Sequence, residues 1–149
     1  MSNMSKTSAL DTLIDLATTA TDDAAKRLGL AIRAGEEAHS KLALLHQYRE
    51  DYAARFQASL AAGLTPMAYR NFQVFIDKLD AAITGQQQIV ADAEKRIVNE
   101  RTAWQDSERK RMSYGTLADR AEKAALREDN RRGQKLMDEH AARQAFYKR

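Results

Sequence analysis

Several residue types are scarce or missing in this 149-residue chain, and each absence excludes a kind of structure. There is no cysteine, which excludes a disulfide scaffold and a thiolate metal site. A single proline and six glycines leave few places where a long helix would have to break. Three valines against 27 alanines is the wrong balance for a β-sheet, which favours β-branched residues. With 7% aromatic residues and 30% charged residues, a thick core and a deep, dry active site are not expected.

Long apolar runs are also missing. No stretch approaches the roughly 18–20 consecutive apolar residues that a membrane span needs, and the first residues lack the apolar core of a signal peptide. We therefore expect a cytoplasmic protein. Residues 1–130 carry 18 basic and 19 acidic side chains, whereas residues 131–149 carry six basic and two acidic ones. The formal net charge of +3 is therefore concentrated at the C-terminal end.

The abundant residues are alanine, leucine, glutamate, lysine, arginine and glutamine, a mixture typical of long helices and coiled coils. The one strong interruption lies at residues 61–66. Gly63 suits a helix C-cap, Thr65 an N-cap, and Pro66 the first position of a new helix. The sequence thus predicts a single domain, 1–149, with helices at about 8–60 and 66–145 and a turn at about 61–66.

Apolar residues recur in both predicted helices at alternating spacings of three and four, which is typical of a left-handed coiled coil. The rows of the first helix are Leu10, Ala17, Ala24, Ala31, Ala38, Leu45 and Tyr52, and Ile14, Thr21, Leu28, Gly35, Leu42, Arg49 and Phe56. The rows of the second are Ile76, Ile83, Val90, Ile97, Trp104, Arg111, Ala118 and Ala125, and Phe72, Leu79, Gln86, Ala93, Glu100, Ser107, Tyr114 and Ala121. These rows predict an all-α fold, a long antiparallel two-helix coiled-coil hairpin.

The rows of the second helix become polar after Ala125. In an antiparallel hairpin that turns near Gly63, Leu10 lies opposite roughly residue 116, because both helices rise 1.5 Å per residue. The apolar pattern therefore ends about where the partner helix ends. We predict a hairpin on the order of 80 Å long, with an overhanging basic C-terminal end that is more mobile than the paired region.

Motifs for catalysis and metal binding are absent from the sequence. No glycine frames a lysine at P-loop spacing, which excludes that mode of ATP binding. His39, His46 and His140 lack the spacing of metal ligands. Adjacent carboxylates such as Glu36 and Glu37 diverge around a helix and cannot flank a substrate. We therefore predict that the chain is not an enzyme and that it uses no cofactor, metal or small-molecule substrate.

Two surface features remain. Basic clusters at 109–111, 131–132 and 148–149 alternate with carboxylates, so they form either a solvated face or a site for an acidic protein. They lack the interleaved aromatic residues on which nucleic acid bases stack. Tyr48 and Phe75 each directly precede a position in the apolar rows, where a two-stranded coiled coil leaves side chains partly in water. These rings either widen the seam or form a patch that binds a partner.

The order of these features resembles the flagellar FliJ family of type III export proteins. The matching segments are Leu10-Asp-Thr-Leu13, Asp22-Asp-Ala-Ala25, Leu45-His-Gln-Tyr48 with Tyr52, Asn71-Phe-Gln-Val-Phe-Ile76, Leu79-Asp-Ala-Ala-Ile83, Trp104, and Asn130-Arg-Arg-Gly-Gln-Lys-Leu-Met-Asp-Glu139 with Arg143. Together they extend from about residue 9 to 145.

The resemblance implies a stalk similar to the central stalk of rotary ATPases. It implies that this stalk inserts into the hexameric export ATPase and promotes its assembly, contacts the cytoplasmic domain of the membrane export gate, and escorts export chaperones. Carried over residue by residue, the export-gate contact falls on Leu45, Tyr48, Tyr52, Phe75, Leu79 and Ala82. Gln86 departs from the histidine expected at that contact.

The same resemblance implies a cytoplasmic protein that is peripherally associated with the inner-membrane export apparatus. A basic helix in the ATPase channel is expected to meet acidic loops through Arg131, Arg132, Lys135 and Arg143. The alternative is a basic coiled-coil protein that binds nucleic acid non-specifically through residues 109–149. The adaptor hypothesis, with no nucleic acid partner, is favoured because residues 1–130 carry no net positive charge.

Overall fold

Two helices make up the computed structural model, which describes residues 2–148, with side chains described from residue 8. Helix α1 spans Ser2–Ala62 and helix α2 spans Pro66–Tyr147. No strand occurs within residues 2–148. The prediction of an all-α helical hairpin is confirmed, and both helices extend a few residues beyond the bounds expected from sequence.

The turn between the helices uses the capping residues that the sequence indicates. Gly63 has a φ of 98°, in the left-handed region that only glycine adopts without strain. Its N–H donates to the carbonyl oxygen of Leu60 at 3.3 Å. At the start of α2, the N–H of Ala68 donates to the Thr65 hydroxyl oxygen at 3.2 Å. Pro66 then occupies the first helical position, where its missing N–H leaves no hydrogen bond unmade.

Packing divides the chain into two compact units, and the division cuts across both helices. One unit is Asp23–Trp104, and the other consists of Met1–Asp22 and Gln105–Arg149. Each unit contains a segment of α1 packed against a segment of α2. The expectation of a single domain stays a prediction.

Small side chains bring the helices close together in part of the Asp23–Trp104 unit. Ala24, Ala31 and Ala38 are at most 5% exposed. Between them lies Gly35, where an added Cβ atom would be only 2.8 Å from Cδ1 of Ile97. The other buried side chains of this unit are larger: Phe56, Leu79, Ile83 and Val90. The helices therefore approach closely at the alanines and Gly35.

An aromatic cluster fills the seam of the same unit near the turn. The ring of Tyr52 lies 4.3 Å from that of Phe75 and 5.0 Å from that of Phe72, centroid to centroid. The ring of Phe56 lies 5.3 Å from Phe72 and 5.4 Å from Tyr69. All four pairs are tilted, a geometry that stabilises aromatic pairs by about 0.5–1.5 kcal/mol each beyond the area they bury.

The second unit shows where the apolar seam ends. Ala17 and Thr21 are buried, and the Thr21 hydroxyl donates to the carbonyl oxygen of Ala17 at 2.8 Å. The rows of α2 stay half-buried as far as Ala118, but Ala121 and Ala125 are exposed. The predicted extension of the seam to Ala125 was wrong by one heptad. A pattern on one helix makes a seam only where the facing helix supplies apolar side chains, and the last row member of α1 is Leu10.

Every side chain of residues 119–148, here called the α2 tail, is exposed.

Candidate protein-interaction surfaces

The two flanks of the seam in the Asp23–Trp104 unit differ in chemistry. On one flank, Nε2 of His39 lies 3.0 Å from Oε1 of Glu94. Each of these residues directly follows a member of the buried rows, Ala38 on α1 and Ala93 on α2. In an antiparallel pair, positions in this register on the two helices face each other. This flank is therefore polar where His39 and Glu94 meet.

Residues that directly precede the other row of each helix form the opposite flank. It includes the cations Arg27, Lys41, Arg55 and Arg96, but also large apolar side chains that are partly exposed. Tyr48 is 52% exposed on α1, and Phe75 and Ile89 are 43% and 54% exposed on α2. Leu44, one helical turn before Tyr48, is 49% exposed, and Ala82 lies between Phe75 and Ile89 in the same register. We call these five residues the apolar flank: Leu44, Tyr48, Phe75, Ala82 and Ile89.

The structure distributes the six residues of the predicted gate contact between the surface and the core. Tyr48, Phe75 and Ala82 are exposed, Leu45 and Tyr52 are half-buried, and Leu79 is only 8% exposed. Tyr52 and Phe75 are in direct ring contact. Leu44 and Ile89 were missed at the sequence level. Ile89 could have been indicated by its register, since it lies one heptad after Ala82, and Leu44 by its place one helical turn before Tyr48.

A cross-helix ion pair interrupts the apolar row of α1 between the aromatic cluster and the alanines. The Arg49 guanidinium makes two hydrogen bonds to the Asp80 carboxylate, from Nε to Oδ1 and from Nη2 to Oδ2, the second at 3.4 Å. The hydrogen bond from Arg49, together with its positive charge, lowers the pKa of Asp80, and the pKa of Arg49 is raised by the same contact. Both side chains are more than 40% exposed, so water screens the pair and its effect on stability is modest.

We expect the substitution Asp80→Asn to remove a pH-dependent part of the stability. Because the pKa of Asp80 is lowered in the folded chain, its ionised form stabilises the fold above the ordinary aspartate pKa. That stabilisation is lost as the pH falls through the lowered, folded-state pKa. The difference in urea midpoint between wild type and variant should therefore be largest near neutral pH and shrink below about pH 4.

The matched control for this prediction is Asp77→Asn. Asp77 is exposed on the same helix and has no ion pair within 4.0 Å among the side chains of residues 8–148. A difference for Asp80→Asn that persists undiminished into acid, or that Asp77→Asn reproduces, would show that the ion pair contributes nothing specific.

Gln86, where the resemblance led us to expect a histidine, has a structural role. Its side-chain Nε2 donates to the carbonyl oxygen of Ala38 on the facing helix at 3.0 Å. The amide therefore makes a hydrogen bond across the seam and links the two helices where the α1 side chains are smallest.

The four cations predicted to contact the ATPase all lie on the α2 tail. Arg131, Arg132, Lys135 and Arg143 are exposed. Nε of Arg132 lies 3.7 Å from Oε1 of Glu128, one turn earlier. Before the α2 tail, on the same helix, Arg111 donates two hydrogen bonds to the carboxylate of Glu108. These hydrogen bonds lower the pKa of Glu108.

Two features of the described residues bear on the binding of a small ligand. Within the described residues there is no group of three or more histidine, aspartate or glutamate side chains that could hold a metal ion. A shallow depression on α1 is lined by residues of that one helix: Arg33, Glu36, Glu37, Ser40 and Lys41. A wall from one helix cannot enclose a substrate. Neither helix, over its described residues, combines the length and the apolarity needed to cross a membrane.

Comparison with known proteins gives consistent matches along nearly the whole chain. A sequence model of the family described as "Flagellar FliJ protein" matches residues 5–149. The Flagellar FliJ protein of Escherichia coli (strain K12) is 34% identical over 145 residues, which is 97% of this chain and 99% of that protein. The Flagellar FliJ protein of Salmonella typhi is 32% identical over 145 residues, with the same coverage of both chains.

Proposed function

The chain belongs to the flagellar FliJ family, and from that premise we propose that it is a non-enzymatic adaptor in flagellar protein export. It inserts into the hexameric export ATPase and promotes its assembly. It also binds the cytoplasmic domain of the membrane export gate and escorts export chaperones. The protein acts in the cytoplasm, peripherally associated with the inner-membrane export apparatus.

The observation that carries this proposal is the apolar flank. Tyr48 and Phe75 hold large rings partly in water beside a long packed seam, while the opposite flank holds the polar pair His39 and Glu94. Aromatic side chains of this kind dominate the binding energy of protein interfaces. We assign the gate contact to Leu45, Tyr48, Tyr52, Phe75, Leu79 and Ala82, of which Leu79 is buried in the seam.

The α2 tail supports the ATPase contact. It has no packing partner among the described residues, and its C-terminal part carries the surplus positive charge. A lone helix in water is marginal even with good helix formers. A channel that surrounds the tail would therefore stabilise it, and acidic groups in that channel would attract it.

The experiment that tests this function measures binding of the full-length chain to two purified proteins from the same bacterium. These are the export ATPase and the cytoplasmic domain of the gate, at physiological salt, with a 20-base-pair DNA duplex as the competing partner. We expect complexes with both proteins and only weak, strongly salt-dependent binding to DNA. Tight DNA binding that falls steeply with salt, without binding to either protein, would favour the nucleic acid alternative and reject the adaptor.

A further inference from the structure

We propose that the α2 tail binds its partner through one face only, a row of cations here called the basic stripe. Its members follow one another at spacings of three, four, four and four residues: Arg120, Lys123, Arg127, Arg131 and Lys135. At 100° per residue they occupy a sector of about 120° on the helix, and they extend along about 22 Å of it. All five side chains are exposed.

The cations of the stripe form no close ion pair among the described side chains. None of its five cations lies within 4.0 Å of a carboxylate among residues 8–148. Three cations of the same unit that lie outside the stripe are paired: Arg132 with Glu128, Arg109 with Asp106, and Arg111 with Glu108. Lys110, Arg143 and Lys148 resemble the stripe in having no carboxylate within 4.0 Å among residues 8–148. The fixed positive charge of the stripe is therefore available to a partner.

The acidic residues of the tail mostly lie outside the sector of the stripe. At 100° per residue, Asp119, Glu122, Glu128, Asp129 and Glu139 fall outside it. The exception is Asp138, which follows the last cation and accepts a hydrogen bond from the side-chain amide of Gln134 at 3.2 Å. The tail thus separates its charges into a basic face and a face that carries most of its carboxylates.

The chemistry of the stripe favours a protein surface rich in carboxylates as its occupant. The exposed apolar residues Leu126, Leu136 and Met137 fall outside the sector, so an apolar groove or a lipid surface would gain little by contacting it. No aromatic side chain accompanies the cations for base stacking. The carboxylates on the remaining faces would repel a phosphate backbone that wrapped the helix.

This inference rests on the proposed function for the identity of the partner, the export ATPase, and adds the face and residues of contact. It also revises the predicted set. Arg131 and Lys135 belong to the stripe, whereas Arg132 is paired with Glu128 and Arg143 lies on another face. Arg120, Lys123 and Arg127 were not in the set predicted from sequence.

Two matched double variants of the full-length chain test the inference. The stripe variant is Arg120→Gln with Arg127→Gln, and the control is Arg132→Gln with Arg143→Gln. Each removes two arginines from the tail, and glutamine keeps a similar helix propensity. We expect the stripe variant to lower affinity for the purified ATPase by roughly tenfold or more, and the control by less than about threefold. Circular dichroism checks that both variants remain helical.

Three other results would each contradict a specific claim. Equal losses in both variants, or no loss in either, would overturn the one-face contact while leaving ATPase binding in place. Tighter binding of the wild type to the 20-base-pair duplex than to the ATPase, lost in the stripe variant, would overturn the carboxylate-rich partner. A wild-type chain that does not bind the ATPase would reject the proposed function together with the stripe.

Discussion

Replacing Ile83 by alanine is expected to lower the free energy of unfolding by about 2–5 kcal/mol. Ile83 is 7% exposed in the seam of the Asp23–Trp104 unit, so its truncation removes buried apolar contacts and leaves a cavity. The neighbouring helix cannot collapse into that space without shifting the aromatic and aliphatic side chains on either side. Urea unfolding followed by circular dichroism measures the change.

Ile89→Ala is the matched control, because it removes the same atoms from the same helix. Ile89 is 54% exposed on the apolar flank, and we expect its truncation to lower stability by less than about 1 kcal/mol. Equal losses for the two variants would mean that the apolar flank is covered in the folded chain. In that case it could not serve as a docking surface.

Tyr48→Ala is expected to weaken binding to the cytoplasmic domain of the export gate by about thirtyfold or more, with little change in stability. An aromatic anchor at the centre of an interface can contribute 2 kcal/mol or more to binding. The ring is 52% exposed and is in none of the aromatic pairs formed among the described residues, so the fold depends on it little. Calorimetric titration against the gate domain gives the affinity, and a thermal melt of the same sample gives the stability.

Phe75→Ala tests the same surface less cleanly. Its ring lies 4.3 Å from that of Tyr52, so truncation also removes an aromatic pair that stabilises the fold by about 0.5–1.5 kcal/mol.

Tyr147→Ala, which removes an 82% exposed ring from the α2 tail, is the control for a general effect of losing a tyrosine. If Tyr48→Ala melted as early as Ile83→Ala and bound the gate normally, the ring would be ordinary core.

Much of the fold could be predicted from sequence because its determinants are local. Helix formers, a single proline and the Gly63, Thr65 and Pro66 signals are properties of short segments, and they place the two helices and the turn almost where they occur. The seam rows follow from a fixed geometry, since a spacing of three and four residues always lies on one face of a helix.

The interaction surfaces were predictable only in part. The side chains beside each flanking residue come from the facing helix or from the next turn of the same helix. The sequence indicated Tyr48 and Phe75 as rings beside the seam, but not that the apolar flank lies on one side of the seam while the other side holds His39 and Glu94. That distinction needs the register between α1 and α2, which fixes the neighbours of every flanking residue.

By itself, the sequence determined the two helices, the turn and the residues that form the seam, because hydrophobic periodicity and capping act within a few residues. The tertiary structure decided where the seam ends, at Ala118 rather than Ala125, and that Arg49 pairs with Asp80 and Gln86 with Ala38 across the seam. It also decided that the cations of the basic stripe stay unpaired among the described side chains while Arg132 binds Glu128. The physical reason is that burial and ion pairing depend on distances between side chains, and those distances are set only when the helices pack and each side chain adopts its rotamer.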